Sequence, residues 1–267
     1  MDNRRLLSIL VALAAPAFLP APAFAQATGD QARLIFTLSA GVVGGKKLWA
    51  VGAQPVRITD PADTLALERR VRSTLAVALG GSYFPGEHFG IGAEGFLIGL
   101  GYEDQCNQVF SSGLALVTAA CQAINAGAPR ATSVVVSGGP IFRVNSRKPL
   151  SPYARFNAGL IFSNQSSVRM TGQFPSPDGP VNLIVYSDTR ESRVDPAFAL
   201  GAGFTAAVAK GYQLRWEVRD NLIAINRVTG PAAVAGTMPP HERVFKHIFS
   251  MTIGVDVVLE RRRGRRY

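Results

Sequence analysis

Residues 212–219 read Tyr-Gln-Leu-Arg-Trp-Glu-Val-Arg and alternate with a period of two. At strand spacing Tyr212, Leu214, Trp216 and Val218 share one face, and Gln213, Arg215, Glu217 and Arg219 share the other. Seven further segments repeat the pattern. In the first, Leu34, Phe36, Leu38, Ala40 and Val42 oppose Thr37, Ser39 and Gly41; in the second, Val71, Leu75, Val77, Leu79 and Tyr83 oppose Arg72, Thr74, Ala76, Ala78 and Ser82. A third strand is predicted from about His88 to Tyr102 with Glu94 inward, and its weakened phase at Phe96-Leu97-Ile98 suggests a bulge. A fourth runs from about Thr132 to Val144, with Val134, Val136 and Phe142 outward and Arg143 inward; Pro140 within it predicts a bulge or a strand end. The fifth sets Ala154, Phe156, Ala158, Leu160 and Phe162 against Tyr153, Arg155, Asn157 and Ser163. The sixth sets Phe198, Leu200, Ala202, Phe204 and Val208 against Ala199, Gly201, Gly203 and Thr205. After the opening segment, the last sets Phe249, Met251, Ile253, Val255, Val257 and Leu259 against Ser250, Thr252, Gly254 and Asp256.

The connections alternate in length. Pro85-Gly86-Glu87, Asn145–Pro149 and Lys210-Gly211 are short turns, whereas 46–65, 103–131, 166–194 and 226–243 are long. Eight alternating strands leave no residues over for a separate core, so one face must meet a solvent that tolerates it. A soluble lipocalin-like barrel would turn its apolar face inward around a ligand. Here that choice would expose Phe and Leu inward and set Arg72, Glu94, Arg143, Arg155, Arg215, Glu217, Arg219 and Asp256 on the apolar side. The reverse orientation, apolar to lipid and charged to the lumen, is the simpler one. The expected fold is therefore all-β: an eight-stranded, antiparallel, up-and-down transmembrane barrel over residues 26–260.

Composition refines this picture at the termini. Arg4 and Arg5, the apolar run Leu6–Leu13 and Ala23-Phe24-Ala25 form a secretory signal peptide over 1–25, with cleavage before Gln26. Pro16, Pro20 and Pro22 interrupt that run well short of the roughly 20 residues a spanning helix needs. About 240 residues remain, enough for one all-β domain, and the 27 glycines suit tight turns and a small barrel interior rather than long helices. The formal charge of +10 becomes +9 once Asp2, Arg4 and Arg5 leave with the signal. Export excludes nucleic acid as the expected partner and points the excess charge at lipid phosphates or a polyanionic surface, unless lumenal pairing and a solvated tail absorb it. Cys106 and Cys121 form a close, even pair, which in an exported chain reads as a disulfide worth on the order of 3 kcal/mol. His88, His241 and His247 are scattered, so neither a metal nor another cofactor is expected.

With the signal peptide, the Trp216-Glu217-Val218-Arg219-Asp220 strand and the last strand in view, the chain resembles the small eight-stranded outer-membrane β-barrels of Gram-negative envelopes, the OmpA-like transmembrane domains among them. The resemblance covers the mature chain and implies the cell outer membrane as location. It also implies a monomer, contact with outer-membrane lipid and lipopolysaccharide, and delivery by the barrel-assembly machinery. The family's last strand usually closes on an aromatic residue; here it ends aliphatic at Leu259 and runs into a basic tail at 261–267, placed in the periplasm.

An eight-stranded barrel has room for its own side chains and little else. Buried charges must be paired, so the eight inward charges named above are expected to form a lumenal ion-pair network. That network either plugs the barrel, leaving a structural and surface-interaction role with the long loops facing partners, or lines a narrow passive channel of porin-like kind. The 103–131 loop, stapled by the disulfide and carrying Val109, Phe110, Leu114, Leu116 and Val117, is either the contact surface or a place where strands extend or a short helix forms. A lipid-modifying enzyme is the least favoured reading. Ser166 or Ser192 could approach His241 or His247, but no spacing ties them together, and no catalytic residue is assigned. The glycines at 41, 44, 45, 99 and 101 lack the strand-to-helix context of a phosphate loop.

Overall fold

The computed structural model describes residues 33–56, 63–110, 115–127, 130–144, 146, 148–164, 166–174, 179–188 and 193–260. The signal segment 1–25 and the basic tail 261–267 lie outside them. Twelve strands and one described helix follow in order: β1 (Arg33–Val43), β2 (Lys46–Val56), β3 (Asp63–Val71), β4 (Thr74–Phe84), β5 (Phe89–Phe110), α1 (Ala115–Ala126), β6 (Arg130–Arg143), β7 (Leu150–Ser163), β8 (Met170–Phe174), β9 (Val181–Tyr186), β10 (Arg193–Ala209), β11 (Tyr212–Val228) and β12 (His241–Glu260). Eight of them, β1, β4, β5, β6, β7, β10, β11 and β12, pair antiparallel in a ring that closes β12 onto β1.

Burial fixes the orientation. Leu38, Leu75, Leu79, Ile91, Leu200 and Phe249 are each more than half exposed on the outer wall, while Asp256 is fully buried inside. Apolar outside and charged inside is the arrangement for lipid, and a closed barrel leaves no strand edge unpaired in hydrocarbon. The chain is thus a transmembrane barrel of the outer-membrane type. Its three tight connections, at 85–88, 144–149 and 210–211, share one end; Gly211 adopts φ +80°, which fits it for the two-residue link.

At the other end the long connections are folded. β3 pairs with the outer half of β5 and β2 pairs with β3, so this hairpin prolongs the barrel wall upward. β8 and β9 form a separate two-stranded sheet. Helix α1 presents Val117, Ala120, Cys121 and Ile124, at helical spacing, to β5 and β8. Together these pieces form a cap with a conventional apolar core, including Leu48, Trp49, Leu65, Leu67, Met170 and Tyr186.

Four sequence expectations are corrected. No bulge occurs at Phe96–Ile98: pairing to β4 and β6 runs through it in register, and the inward face simply changes from polar to apolar there. Pro140 does not end its strand or shift the register, which is the same at Gly138↔Ala158 and Ile141↔Arg155. Val71 faces a core rather than lipid, because it ends β3 in the cap, where the inside is apolar. The long stretches 46–65 and 166–194 are not open loops but carry strands, whereas within 103–131 β5 extends to Phe110 and α1 forms, the second of the two expected outcomes.

Candidate functional site

The middle of the lumen holds six charged side chains from four strands. Glu94 comes from β5, Arg155 from β7, Arg215, Glu217 and Arg219 from β11, and Asp256 from β12. Alternation on β11 puts its three charges on one inward face, two residues apart. Arg219 bridges Glu94 and Glu217, with Nη2 at 3.1 Å from Glu94 Oε2 and 2.6 Å from Glu217 Oε1. Arg155 forms an ion pair with Glu94 Oε2 at 3.0 Å and lies 3.6 Å from Glu217. Arg215 holds Asp256 through Nε and Nη2, both at 3.0 Å, and also lies 3.6 Å from Glu217. Three arginines therefore face three carboxylates, and the layer is neutral.

Neutral donors complete the coordination. The Tyr153 hydroxyl donates to Glu217 Oε2 at 2.6 Å, Asn157 Nδ2 donates to Glu94 Oε1 at 2.9 Å, and Thr37 Oγ1 donates to Asp256 Oδ1 at 2.7 Å. Arg215 lies over the Tyr153 ring at 4.7 Å and Arg219 over Phe96 at 4.8 Å. Gly201 on β10 makes the room: a Cβ there would sit 2.8 Å from Glu217 Oε1 and 3.1 Å from Arg155 Cγ.

Apolar layers close the network above and below. Ile35, Phe84, Ile141 and Tyr153 form a floor towards the short turns. Phe96, Ile98, Val135, Ile161, Ile223 and Ile248 lie on the cap side and continue into its core. A void beside Phe96, Ser137, Arg219 and Asn221 measures about 10 Å³, and one beside Tyr102, Ser163 and Asn226 about 20 Å³. Each has room for about one water.

Two of the eight expected network members lie elsewhere. Arg72 is exposed in the link between β3 and β4, where the strand phase restarts, and its backbone N–H donates to the Gly101 carbonyl. Arg143 does point inward, but beneath the floor: its guanidinium lies 3.8 Å from the Phe84 ring centre and Nε donates to the Glu87 carbonyl. Sequence reasoning placed Tyr153 and Asn157 inside without assigning them a role, and it gave Thr37 no partner; pattern alone cannot show which inward groups touch.

The cap contains a second buried charge pair that sequence reasoning missed. Arg69 on β3 donates through Nε and Nη2 to Asp104 on β5 at 2.6 and 2.7 Å, with Nη1 on the Ser166 carbonyl. Trp49 and Tyr102 flank the guanidinium at 5.6 and 5.0 Å. The available signal was Arg69 sharing a strand face with Leu65, Leu67 and Val71. Burial pushes the Tyr102 hydroxyl up, against the opposing pull of Arg69, and burial likewise pushes Tyr186 up. Cys106 and Cys121 are disulfide-bonded across β5 and α1, Cα to Cα 5.4 Å, and the Asn125 side chain clamps both backbone groups of Cys106.

The serine and histidine candidates are not brought together. Ser166 is buried and donates to Asp188; His247 meets Asp220, His241 meets the Pro239 carbonyl, and His88 sits at a short turn against the Arg143 carbonyl. Ser192 lies outside the described residues.

No family model and no curated protein matches the chain. Among solved structures it is similar to the outer membrane protein OprG from Pseudomonas aeruginosa (10% identity, 89% of this chain and 100% of that one, TM-score 0.47). It is also similar to neisserial surface protein A (10%, 85% and 97%, TM-score 0.41) and to the outer membrane protease OmpT from Escherichia coli (10%, 85% and 97%, TM-score 0.34). At these identities and scores the likeness carries no weight of its own, and the barrel assignment rests on the pairing and burial of this chain's strands.

Proposed function

We propose that this protein is a sealed outer-membrane barrel whose role is to hold a folded, disulfide-stapled cap at the cell surface, where the cap contacts partners. The observation that carries this reading is the neutral six-charge layer. Glu94, Glu217 and Asp256 are each paired with buried arginines, and apolar layers lie on both sides. An ion entering would have to break pairs whose partners are buried, at a cost of several kcal/mol each. The cap supplies a surface to present: Val109 and Phe110 at the end of β5 are 61% and 55% exposed, and Leu116 of α1 is partly exposed beyond them.

Planar-bilayer recording with the purified, folded protein tests the seal. Unboiled protein that migrates differently from boiled protein confirms that a folded barrel was reconstituted, and the expected trace is flat. Discrete steps of ionic current from such a preparation would return the chain to the channel reading.

A further inference from the structure

β12 and β1 pair only up to Ser250↔Val43, where the Gly44 amide donates to the Phe249 carbonyl. Above that point the two walls separate. The outer half of β12 keeps β11 on one side only, while β2 turns away to pair with β3 and is the edge strand of its sheet. Between them opens a cleft of about 540 Å³. Lys47, Arg227 and Lys246 line it with Trp49 and Val228, and Lys46 adjoins it at the foot of β2.

The charge of this cleft is not balanced. Lys47 meets Glu68 at 2.6 Å and Arg227 meets Glu242, but among the described residues Lys46 and Lys246 have no acidic partner. Lys46 and Arg227 both lie close enough to Lys246 for the three cations to repel one another. The cleft also sits at a particular height. Phe245 and Phe249 on the same strand are 48% and 58% exposed on the lipid-facing wall, so its mouth lies at the top of the apolar belt, where headgroup phosphates are found.

We propose that this cleft binds the phosphorylated headgroup of an outer-leaflet glycolipid, with Lys246 in its lining and the adjoining Lys46 as the phosphate contacts. The cations match a phosphate, the mixed lining matches an amphiphile, and the height selects a lipid over a free anion. The inference rests on the barrel's placement in the membrane, which the heat-dependent gel shift tests separately.

The experiment measures equilibrium binding of fluorescent bisphosphorylated lipid A to the full chain in zwitterionic detergent, against the same lipid stripped of its phosphates. The phosphorylated lipid should bind about tenfold more tightly, as expected for two added charge-assisted contacts at a wet site. The Lys46→Gln/Lys246→Gln variant should lose that preference with its gel shift intact. Lys210→Gln, at a short turn on the opposite end, should retain it. Lys46→Gln alone leaves β12 untouched and should weaken the preference, which keeps the test decisive if the double variant does not fold. Equal binding of the two lipids, or a folded double variant that still discriminates, would overturn the proposal. Displacement of lipid A by inorganic phosphate at equal concentration would overturn the lipid assignment in favour of a free anion.

Discussion

The lower and upper halves of β5 obey opposite rules on one continuous strand. From Phe89 to Leu97 the outward residues Phe89, Ile91 and Leu97 are apolar and exposed, and the inward face carries Glu94. From Tyr102 to Cys106 the inward residues Tyr102 and Cys106 belong to an apolar core, and Glu103 turns outward. Strand geometry does not change between the halves; the solvent does. Lipid accepts apolar groups on the wall and leaves charges to pair in the lumen, whereas water above the membrane requires the reverse. Each half also treats buried charge differently. The lumen uses six interlocked groups, while in the cap the Arg69–Asp104 pair is held between two aromatic rings.

Removing one member of each system should break the comparison most sharply. Glu217→Ala leaves three lumenal arginines facing two carboxylates and should cost about 4 kcal/mol, read as a lower unfolding midpoint of the refolded barrel. An unchanged midpoint would mean that the layer is not a structural unit. Cys106→Ser/Cys121→Ser should cost about 3 kcal/mol, confined to the cap. Limited proteolysis should then cut the cap faster while the gel shift of the barrel persists. Gly201→Ala pushes a methyl against Glu217 and Arg155 and should cost about 2 kcal/mol in barrel stability, as overpacking does. Replacing this cap pair with apolar residues, Arg69→Met/Asp104→Leu, should change stability by only about 1 kcal/mol, because a buried pair contributes little over a hydrophobic substitute.

The smallest effect is a pH dependence of the cap. Tyr102 and Tyr186 titrate above the ordinary tyrosine value because burial disfavours their phenolates. The stability they contribute is therefore complete below about pH 10, where unfolded tyrosine is neutral, and is lost as pH rises further and the unfolded state ionises first. Proteolysis of the cap should accelerate between about pH 9 and 11 without loss of the barrel's gel shift.

Much of the membrane half was legible in the sequence, because alternation with a period of two is a direct record of which face meets lipid. Phe36, Leu79, Leu200 and Phe249 fall outward as the pattern requires, and the charges of β11 fall inward. The cap was not legible by that rule. Val71 was assigned to lipid, and the Phe96–Ile98 stretch was read as a defect, because the polarity of the inward face changes there while the phase does not. Pairing within the lumen was only partly accessible. Alternation gives the inward set, but β7, β11 and β12 must close into a ring before Arg155, Glu217 and Asp256 become neighbours, and Arg143 lies a layer too low to join them.

Spin labels placed one at a time at Ile91, Leu97, Glu103 and Asn107 on β5, with the protein in lipid vesicles, test the change of rule directly. Labels at Ile91 and Leu97 should be relaxed by oxygen dissolved in the bilayer, and labels at Glu103 and Asn107 by a water-soluble nickel complex. Access of the nickel complex to all four positions would contradict the account, because the wall that it assigns to lipid would then face water.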